Sequence, residues 1–238
     1  DVLLGTLRQV LARDGDLAGR RVVVTAGGTQ EAIDPVRLIT NRSSGKMGYA
    51  IAEAARDRGA AVTLISTPVA LAPPFGITIV PVESAREMHG AVQAATANAD
   101  ALIMAAAVAD YRVANPAAQK IKKRGAQAAG LTIELVANPD ILAETEGDFV
   151  RVGFAAESED LLANATDKLR RKRLDLIAAN DITGEGSGFG SDTNRVVLLA
   201  RDGSAEHLPL LTKREVADAL LDRVAALVAE RKPAASED

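Results

Sequence analysis

The stretch from Thr25 to Gly48 concentrates residue types that hold an anion: Gly27 and Gly28, the hydroxyls of Ser43 and Ser44, and Gly45-Lys46 at the start of a helical pattern. Backbone N–H groups in a glycine turn and at a helix N-terminus direct partial positive charge at one spot, and a lysine adds a full charge. Ser43 and Ser44 are also candidates to cap that helix. Spacing excludes two familiar phosphate loops. In a Walker A reading, Thr40 occupies the first glycine position before Gly45-Lys46 and Met47 occupies the hydroxyl position. A dinucleotide fingerprint needs Gly-x-Gly-x-x-Gly, whereas a long insertion separates Gly27-Gly28 from Gly45-x-x-Gly48. What is left is an extended anion loop or, on the same residues, a plain turn followed by a capped helix.

Other residues could complete a site. Asp110 follows an apolar run and suits a ribose hydroxyl, a phosphate-bound metal or an ordinary turn cap. Lys120-Ile-Lys-Lys-Arg, followed by an alanine- and glycine-rich tract to Gly130, reads as a solvated basic segment or as a flexible flap that closes over phosphates. Asn138-Pro-Asp begins a short helix at Asn138 or Pro139, and Phe154 is either a base-stacking face or a core side chain. Lys168 and Lys172, four apart, share one side of a helix. Cysteine is absent and the histidines are His89 and His207, which excludes disulfides, thiolate catalysis and cysteine metal sites and speaks against polyhistidine metal sites and serine triads.

These residues need a scaffold of alternating strands and helices. Arg21–Thr25, Ala61–Ser66, Ile77–Val82, Ala101–Ala107, Leu131–Val136, Val150–Ala155 and Leu174–Ala179 read as strands, with Gly59 ending the helix before the second. Met47–Arg58 reads as a helix with Met47, Ile51, Ala54 and Ala55 on one side and Glu53, Arg56 and Asp57 largely on the other. Ser84 with Glu87 and Thr212 with Glu215 are capping boxes opening two more helices, the last with a stripe of Val216, Leu220, Leu221, Val224 and Leu227. Ser158–Lys172 places Leu161, Leu162, Ala165 and Leu169 on one face. Arg195–Ala200 and Glu206–Leu210, joined through Asp202-Gly203, form a hairpin, and Asn180–Asn194 is a long polar loop. The expected fold is α/β, a Rossmann-like doubly wound parallel sheet with an added β-hairpin and a flexible flap. Residues 1–19 form an N-terminal helix that is either ordinary or an inter-domain connector, 20–231 the main domain and 232–238 a frayed tail.

The 238 residues are 47% hydrophobic and 25% charged with a net charge of −4, which suits an ordinary soluble globular protein and gives no basic field for nucleic acid. No apolar run reaches membrane-span length and the start lacks a signal-peptide pattern, so the expected address is the cytoplasm.

Thr25-Ala-Gly-Gly-Thr, Asp34-Pro-Val-Arg and Thr40-Asn-Arg-Ser-Ser-Gly-Lys-Met-Gly together resemble the first signature of bacterial phosphopantothenoylcysteine synthetases. The resemblance continues through Ala105-Ala-Ala-Val-Ala-Asp-Tyr-Arg, Lys120-Ile-Lys-Lys, Asn138-Pro-Asp-Ile, Gly153-Phe-Ala-Ala-Glu, Ala179-Asn-Asp and Gly188-Phe-Gly-Ser-Asp-Thr-Asn. It implies a ligase of coenzyme A biosynthesis joining 4′-phosphopantothenate to L-cysteine, with CTP as co-substrate, a phosphopantothenoyl cytidylate intermediate, and Mg²⁺ or Mn²⁺. It places nucleotide contacts at Gly27, Ser43, Ser44, Gly45, Lys46, Ala105, Ala106, Ala107, Asp110 and Lys120, and at Pro139, Asp140, Ile141, Leu142, Phe154, Lys168 and Lys172. Arg37 and Asn41 match positions tied to phosphopantothenate and to the acyl cytidylate, and Asn41 and Lys120 stand closest to the chemistry. The pattern departs from the family at Ala137, where Lys is commoner, and at Arg42, where His is. The resemblance further implies a homodimer with sites near the interface, the Arg37–Asn41 segment serving the partner's site, and an N-terminal FMN-binding decarboxylase in the full-length protein, so that FMN does not bind this half.

Two other classes stand beside it. An NAD(P)-dependent Rossmann oxidoreductase of the short-chain type needs Tyr-x-x-x-Lys, but Glu53 and Asn115 lie four positions after Tyr49 and Tyr111. A nucleotide-binding sensor or scaffold would bind CTP without turnover, and ATP in place of CTP is open because backbone groups often select the base.

Overall fold

The computed structural model describes residues 2–123, 130–157, 160–181 and 190–231. In chain order the elements are α1 (Val2–Leu11) with a 3₁₀ turn at Ala12–Asp14, β1 (Arg21–Ala26), β2 (Gln30–Ala32), β3 (Leu38–Thr40) and α2 (Lys46–Asp57). Next come β4 (Ala61–Ser66), β5 (Thr78–Pro81), α3 (Ala85–Thr96), β6 (Ala101–Met104), β7 (Tyr111–Val113), β8 (Leu135–Ala137) and α4 (Ile141–Glu144). The chain continues with β9 (Val150–Glu157), α5 (Leu161–Arg171), β10 (Leu176–Asp181), β11 (Thr193–Asn194), β12 (Val196–Ala200), β13 (Ala205–His207), β14 (Leu211–Thr212) and α6 (Lys213–Arg231).

Eight strands form one sheet in the order β13-β12-β10-β9-β6-β1-β4-β5. From β10 to β5 every neighbour is parallel, and β12 and β13 extend the sheet antiparallel as a hairpin. This is a Rossmann-like α/β fold. Alternation along β1 shows why its apolar run is uninterrupted: Val22, Val24 and Ala26 pack with α2 and α6, while Val23 packs on the other face with α3, α4 and α5. Gly48 lets α2 lie directly on β1, since a Cβ there would stand 2.6 Å from Ala26 Cβ and 2.7 Å from the Thr25 carbonyl oxygen. Three short antiparallel ribbons, β2–β3, β7–β8 and β11–β14, stand outside the main sheet.

The capping boxes hold. Glu87 N donates to Ser84 Oγ at 3.2 Å, and Glu215 N donates to Thr212 Oγ1 at 3.2 Å. Several expectations are corrected. The residue capping α2 is Gly45, with φ 75° and no side-chain cap bond, because the chain turns too sharply there for a serine. Arg56 is buried rather than on a polar side, donating to the Phe75 carbonyl at 2.6 Å and pairing with Asp57. The run 101–107 leaves the sheet after Met104, and the run 131–136 contributes only β8, which pairs with β7. Asp140, not Asn138 or Pro139, caps α4, accepting from Ala143 N at 3.3 Å. Leu162 is exposed, whereas Ala165 and Leu169 are buried. In α1, Leu7, Val10 and Leu11 are exposed. The expected flap falls largely on 124–129, the long polar loop on 182–189 and the tail on 232–238, all outside the described residues.

Candidate active site

The six parallel strands run in the order of a dinucleotide-binding sheet, so the topology switches between β1 and β6. At such a point the loops leaving the two strands diverge to opposite faces and open a crevice at their C-terminal ends. Here the two loops are stitched together. Ala106 N donates to Thr25 Oγ1 at 3.1 Å, Ala107 N to Gly27 O at 2.8 Å, and Ala109 N to Thr29 Oγ1 at 2.9 Å. Gly27, at φ 86°, is required on two counts: L side chains avoid that backbone, and a Cβ would stand 2.0 Å from Thr67 Oγ1.

Above this floor lies a cavity of about 500 Å³. The first turn of α2 forms one wall, with Asn41, Ser43, Ser44, Gly45 and Lys46 facing it. Ala105, Ala106, Ala107 and Asp110 form the floor, and Phe154 and Lys168 the opposite side. The opening N–H groups of a helix have no intrahelical acceptor, so this wall is electropositive before any lysine is counted. Asn41 is held by its amide, which donates to the Val108 carbonyl at 3.1 Å. A second lobe of about 290 Å³ continues past Asp110, Phe154 and Lys168 to Pro139, Asp140, Ile141, Leu142 and Lys172. Lys168 Nζ donates to the Phe154 carbonyl at 2.6 Å, and Lys172 Nζ to Asp140 Oδ1 at 2.9 Å. The i, i+4 spacing thus delivers both lysines to one lobe. Asn138 fastens the two lobes, its N–H donating to Asp110 O at 2.8 Å and its side chain to Ala109 O at 2.9 Å.

Arg37 and Lys120 lie elsewhere. Arg37 sits between β2 and β3, pairs with Asp34 at 3.0 Å and donates to the Ile121 carbonyl at 3.1 Å. Lys120, the residue before Ile121, is exposed, and neither side chain lines the two lobes. Asp34 is the bracket: its buried carboxylate accepts from Val36 N, Arg37 N and Ile121 N at 2.8, 2.9 and 3.1 Å. Burial alone would raise its pKa, but these N–H donors and the Arg37 charge outweigh it and hold Asp34 below the usual carboxylate range.

The cavity is also lined by Asn180 and Asn194, which the sequence reading placed in motifs without a site role, and by Lys213, which it did not single out. Asn180 sits near the C-terminal end of β10, where strand-end reasoning could have found it. Lys213 is the first residue of α6 and is buried. Lys46 Nζ donates to Gly190 O at 3.1 Å and pairs with Asp192 at 2.7 Å, and Lys213 Nζ donates to Ser191 O. The Lys46 ammonium lowers the Asp192 pKa. Burial, then the charge of Lys46, pushes Lys213 down, and Asp192 opposes both. Among the described residues no group of three or more His, Asp or Glu could by itself hold a metal ion. Asp110 is a carboxylate facing the cavity, the kind of ligand Mg²⁺ uses alongside phosphate oxygens and water.

Residues 17–228 match the family of DNA/pantothenate metabolism flavoprotein C-terminal domains. The chain belongs to that family. It is 49% identical over 209 residues to the coenzyme A biosynthesis bifunctional protein CoaBC of Vibrio cholerae, covering 86% of this chain and 52% of the relative. Against the CoaBC protein of Bacillus subtilis it is 47% identical over 215 residues, 89% of this chain and 52% of that one. The chain therefore spans about half the length of the curated relatives it matches. The crystal structure of a CoaBC C-terminal domain superposes with a TM-score of 0.77 at 42% identity, covering 91% of this chain and 99% of that one. In this flavoprotein C-terminal domain, then, the paired lobes at the switch point are the place to seek its chemistry, and no helix among the described residues is long and apolar enough to cross a membrane.

Proposed function

We propose that this chain joins 4′-phosphopantothenate to L-cysteine at the expense of CTP, as the ligase part of a coenzyme A biosynthetic protein. The observation that carries the reading is the switch-point cavity, where the opening turn of α2 with Lys46, the Ala105–Asp110 floor and the lysine-bearing second lobe meet. In the first step a carboxylate oxygen of phosphopantothenate attacks the α-phosphorus of CTP, forming an acyl phosphate bond as pyrophosphate leaves. In the second, the cysteine amine attacks the acyl carbon, loses its proton, and displaces CMP as the amide forms. Both steps demand neutralised phosphate charge and fixed geometry more than acid–base chemistry, which fits a site without histidine.

The N–H groups at the start of α2, Ser43, Ser44 and Lys46 bind phosphate oxygens, and Asn41 donates to the acyl oxygen from a position set by Val108. Phe154 offers a face to the base and Lys168 and Lys172 bind the anionic end of the second lobe. Asp110 is the residue that would hold Mg²⁺ or Mn²⁺, which would supply further neutralisation of phosphate charge. Arg37 and Lys120, lying outside the lobes, complete the site from a partner subunit and from a closed flap respectively. This makes the functional unit a homodimer, with residues 20–231 as the catalytic domain, 1–19 as the connector to an FMN-dependent decarboxylase half, and the cytoplasm as its location.

The test is pyrophosphate release with CTP, Mg²⁺ and 4′-phosphopantothenate, with products identified by mass with and without L-cysteine. CMP and a cysteine adduct appearing together only when cysteine is added is the expected result. CTP binding with no turnover would leave a sensor or scaffold, and turnover with ATP alone would overturn the nucleotide assignment.

A further inference from the structure

His89, on α3, lines neither lobe, yet its ring nitrogen Nε2 is buried and has no hydrogen-bond partner among the described residues. The polar atom it faces is Glu144 Oε2 at the end of α4, 3.6 Å away and too far for a hydrogen bond. The other oxygen of that carboxylate is engaged, accepting from Asp140 N at 3.0 Å across the single turn of α4. The same turn supplies Asp140, Ile141 and Leu142 to the second lobe, so α4 is one of its walls. The ties of this wall are uneven. Lys172, at the end of α5, holds Asp140 at 2.9 Å, and the Leu142 carbonyl accepts from Arg151 of β9 at 3.3 Å. Toward α3, Ile141 and Leu142 share an apolar cluster with Met88 and Val92, but the polar pair facing across that side stands open. A buried nitrogen without a partner has given up water for nothing, and closing the gap by about half an ångström removes that cost. α3 is a helix of 12 residues and α4 a turn of 4, so α4 is the element free to shift.

We propose that His89 is a positioning residue for the nucleotide: when a nucleoside fills the second lobe, α4 is drawn against α3, and His89 Nε2 donates a hydrogen bond to Glu144 Oε2. The proposal rests on the nucleotide reading of the site. With a proton on Nε2 the ring donates and the carboxylate accepts, whether or not the second ring nitrogen is protonated. His89 does not touch the ligand. It acts through Glu144, whose carboxylate already grips the Asp140 N–H ahead of α4 and so fixes the wall formed by Asp140, Ile141 and Leu142. A bond made only in the bound state adds its free energy to ligand affinity, and the ligand stabilises the bond to the same extent. Because the lever bears on the second lobe and not on the first turn of α2, it acts on nucleosides whatever their phosphate number.

The experiment measures Kd for CTP, CMP and 4′-phosphopantothenate by calorimetry on the wild-type chain, His89→Leu, His89→Gln, Glu144→Met and the double variant of His89→Leu with Glu144→Met. Tm of each unliganded protein, and KM and kcat for CTP, are measured alongside. His89→Leu should weaken CTP and CMP alike, by roughly 3- to 10-fold, the net worth of one hydrogen bond. Binding of 4′-phosphopantothenate should be unchanged. KM for CTP should rise by the same factor at constant kcat, because the ground and transition states lose the same bond. Tm of His89→Leu should be unchanged or higher, since the nitrogen removed had no partner. His89→Gln, whose amide can donate to Glu144, should recover most of the loss. In the Glu144→Met background His89→Leu should cost little more. Unchanged affinity in His89→Leu, the same loss in both backgrounds, no recovery in His89→Gln, or a fall in Tm that accompanies every affinity loss would overturn the assignment. A wild-type chain that binds no cytidine nucleotide would instead overturn the nucleotide reading on which it stands.

Discussion

The wall built from β1, β6 and α2 and the pair of ribbons β2–β3 and β7–β8 both carry residues expected at one site, yet they hold them differently. In the wall, Ser43 to Lys46 and Ala105 to Asp110 are fixed by a buried sheet, and they converge on one cavity. Between the ribbon strands, Arg37 and the Lys120–Ile121 corner are held by the Asp34 carboxylate and by the Arg37 side chain's bond to the Ile121 carbonyl, and remain outside it. The difference is one of leverage. A parallel sheet sets the ends of neighbouring strands by many backbone bonds at once, so its loops are pre-organised. A three-residue ribbon is set by a few contacts and can be re-aimed by a partner or a ligand.

That contrast can be broken at either end. The largest effect is expected for Gly48→Val, because its side chain must enter space held by Ala26 and the Thr25 backbone. A loss of about 3 kcal/mol or more in denaturant unfolding is anticipated, and a stable variant with an unmoved α2 would show that the wall is not set by this contact. Next, Lys46→Met should leave Tm nearly unchanged while weakening CTP about 10- to 100-fold, as for a charged hydrogen bond to phosphate. Equal binding by the two proteins in calorimetry would remove α2 from the anion site.

In the ribbons, Asp34→Asn should cost about 1–3 kcal/mol, since three backbone N–H donors and Arg37 lose their charged acceptor. Its pH dependence has a definite sign. The folded pKa of Asp34 is depressed, so its contribution is complete above the unfolded carboxylate pKa and disappears as pH falls through the lower folded value. Urea unfolding at several acidic pH values should show wild type and Asp34→Asn converging as the pH drops, and a gap that stays constant would refute this. The smallest effect is expected for Arg37→Ala, whose side chain is 43% exposed: Tm should move little, while the KM for 4′-phosphopantothenate rises. An unchanged KM would confine Arg37 to holding Ile121.

Much of the architecture was legible in the amino-acid order because it is local. Unbroken apolar runs at Val22–Val24 and Ala101–Met104 mark strands covered on both faces, and Ser84-x-x-Glu87 and Thr212-x-x-Glu215 mark helix starts by a bond that spans three residues. The helix start after the Gly27–Gly48 stretch was likewise legible, and the structure brings Ser43, Ser44, Gly45 and Lys46 to one cavity. The misreadings share a cause. Nothing near Arg56 says that the Phe75 carbonyl will reach it, and nothing in residues 131–137 says that their partner is Tyr111–Val113 rather than the main sheet.

By itself, then, the sequence determined the alternation of strands and helices, the glycine- and serine-rich loop before α2 and, through the motif series, the family. Only the tertiary structure decided that β1 and β6 are neighbours with their loops stitched together, that Lys213 of α6 lines the same cavity as Lys46, and that Arg37 and Lys120 stand apart from it. The physical reason is range. Propensities, caps and periodicities act over a few residues, whereas a binding cavity is made where distant segments are brought together by burial of the sheet they share.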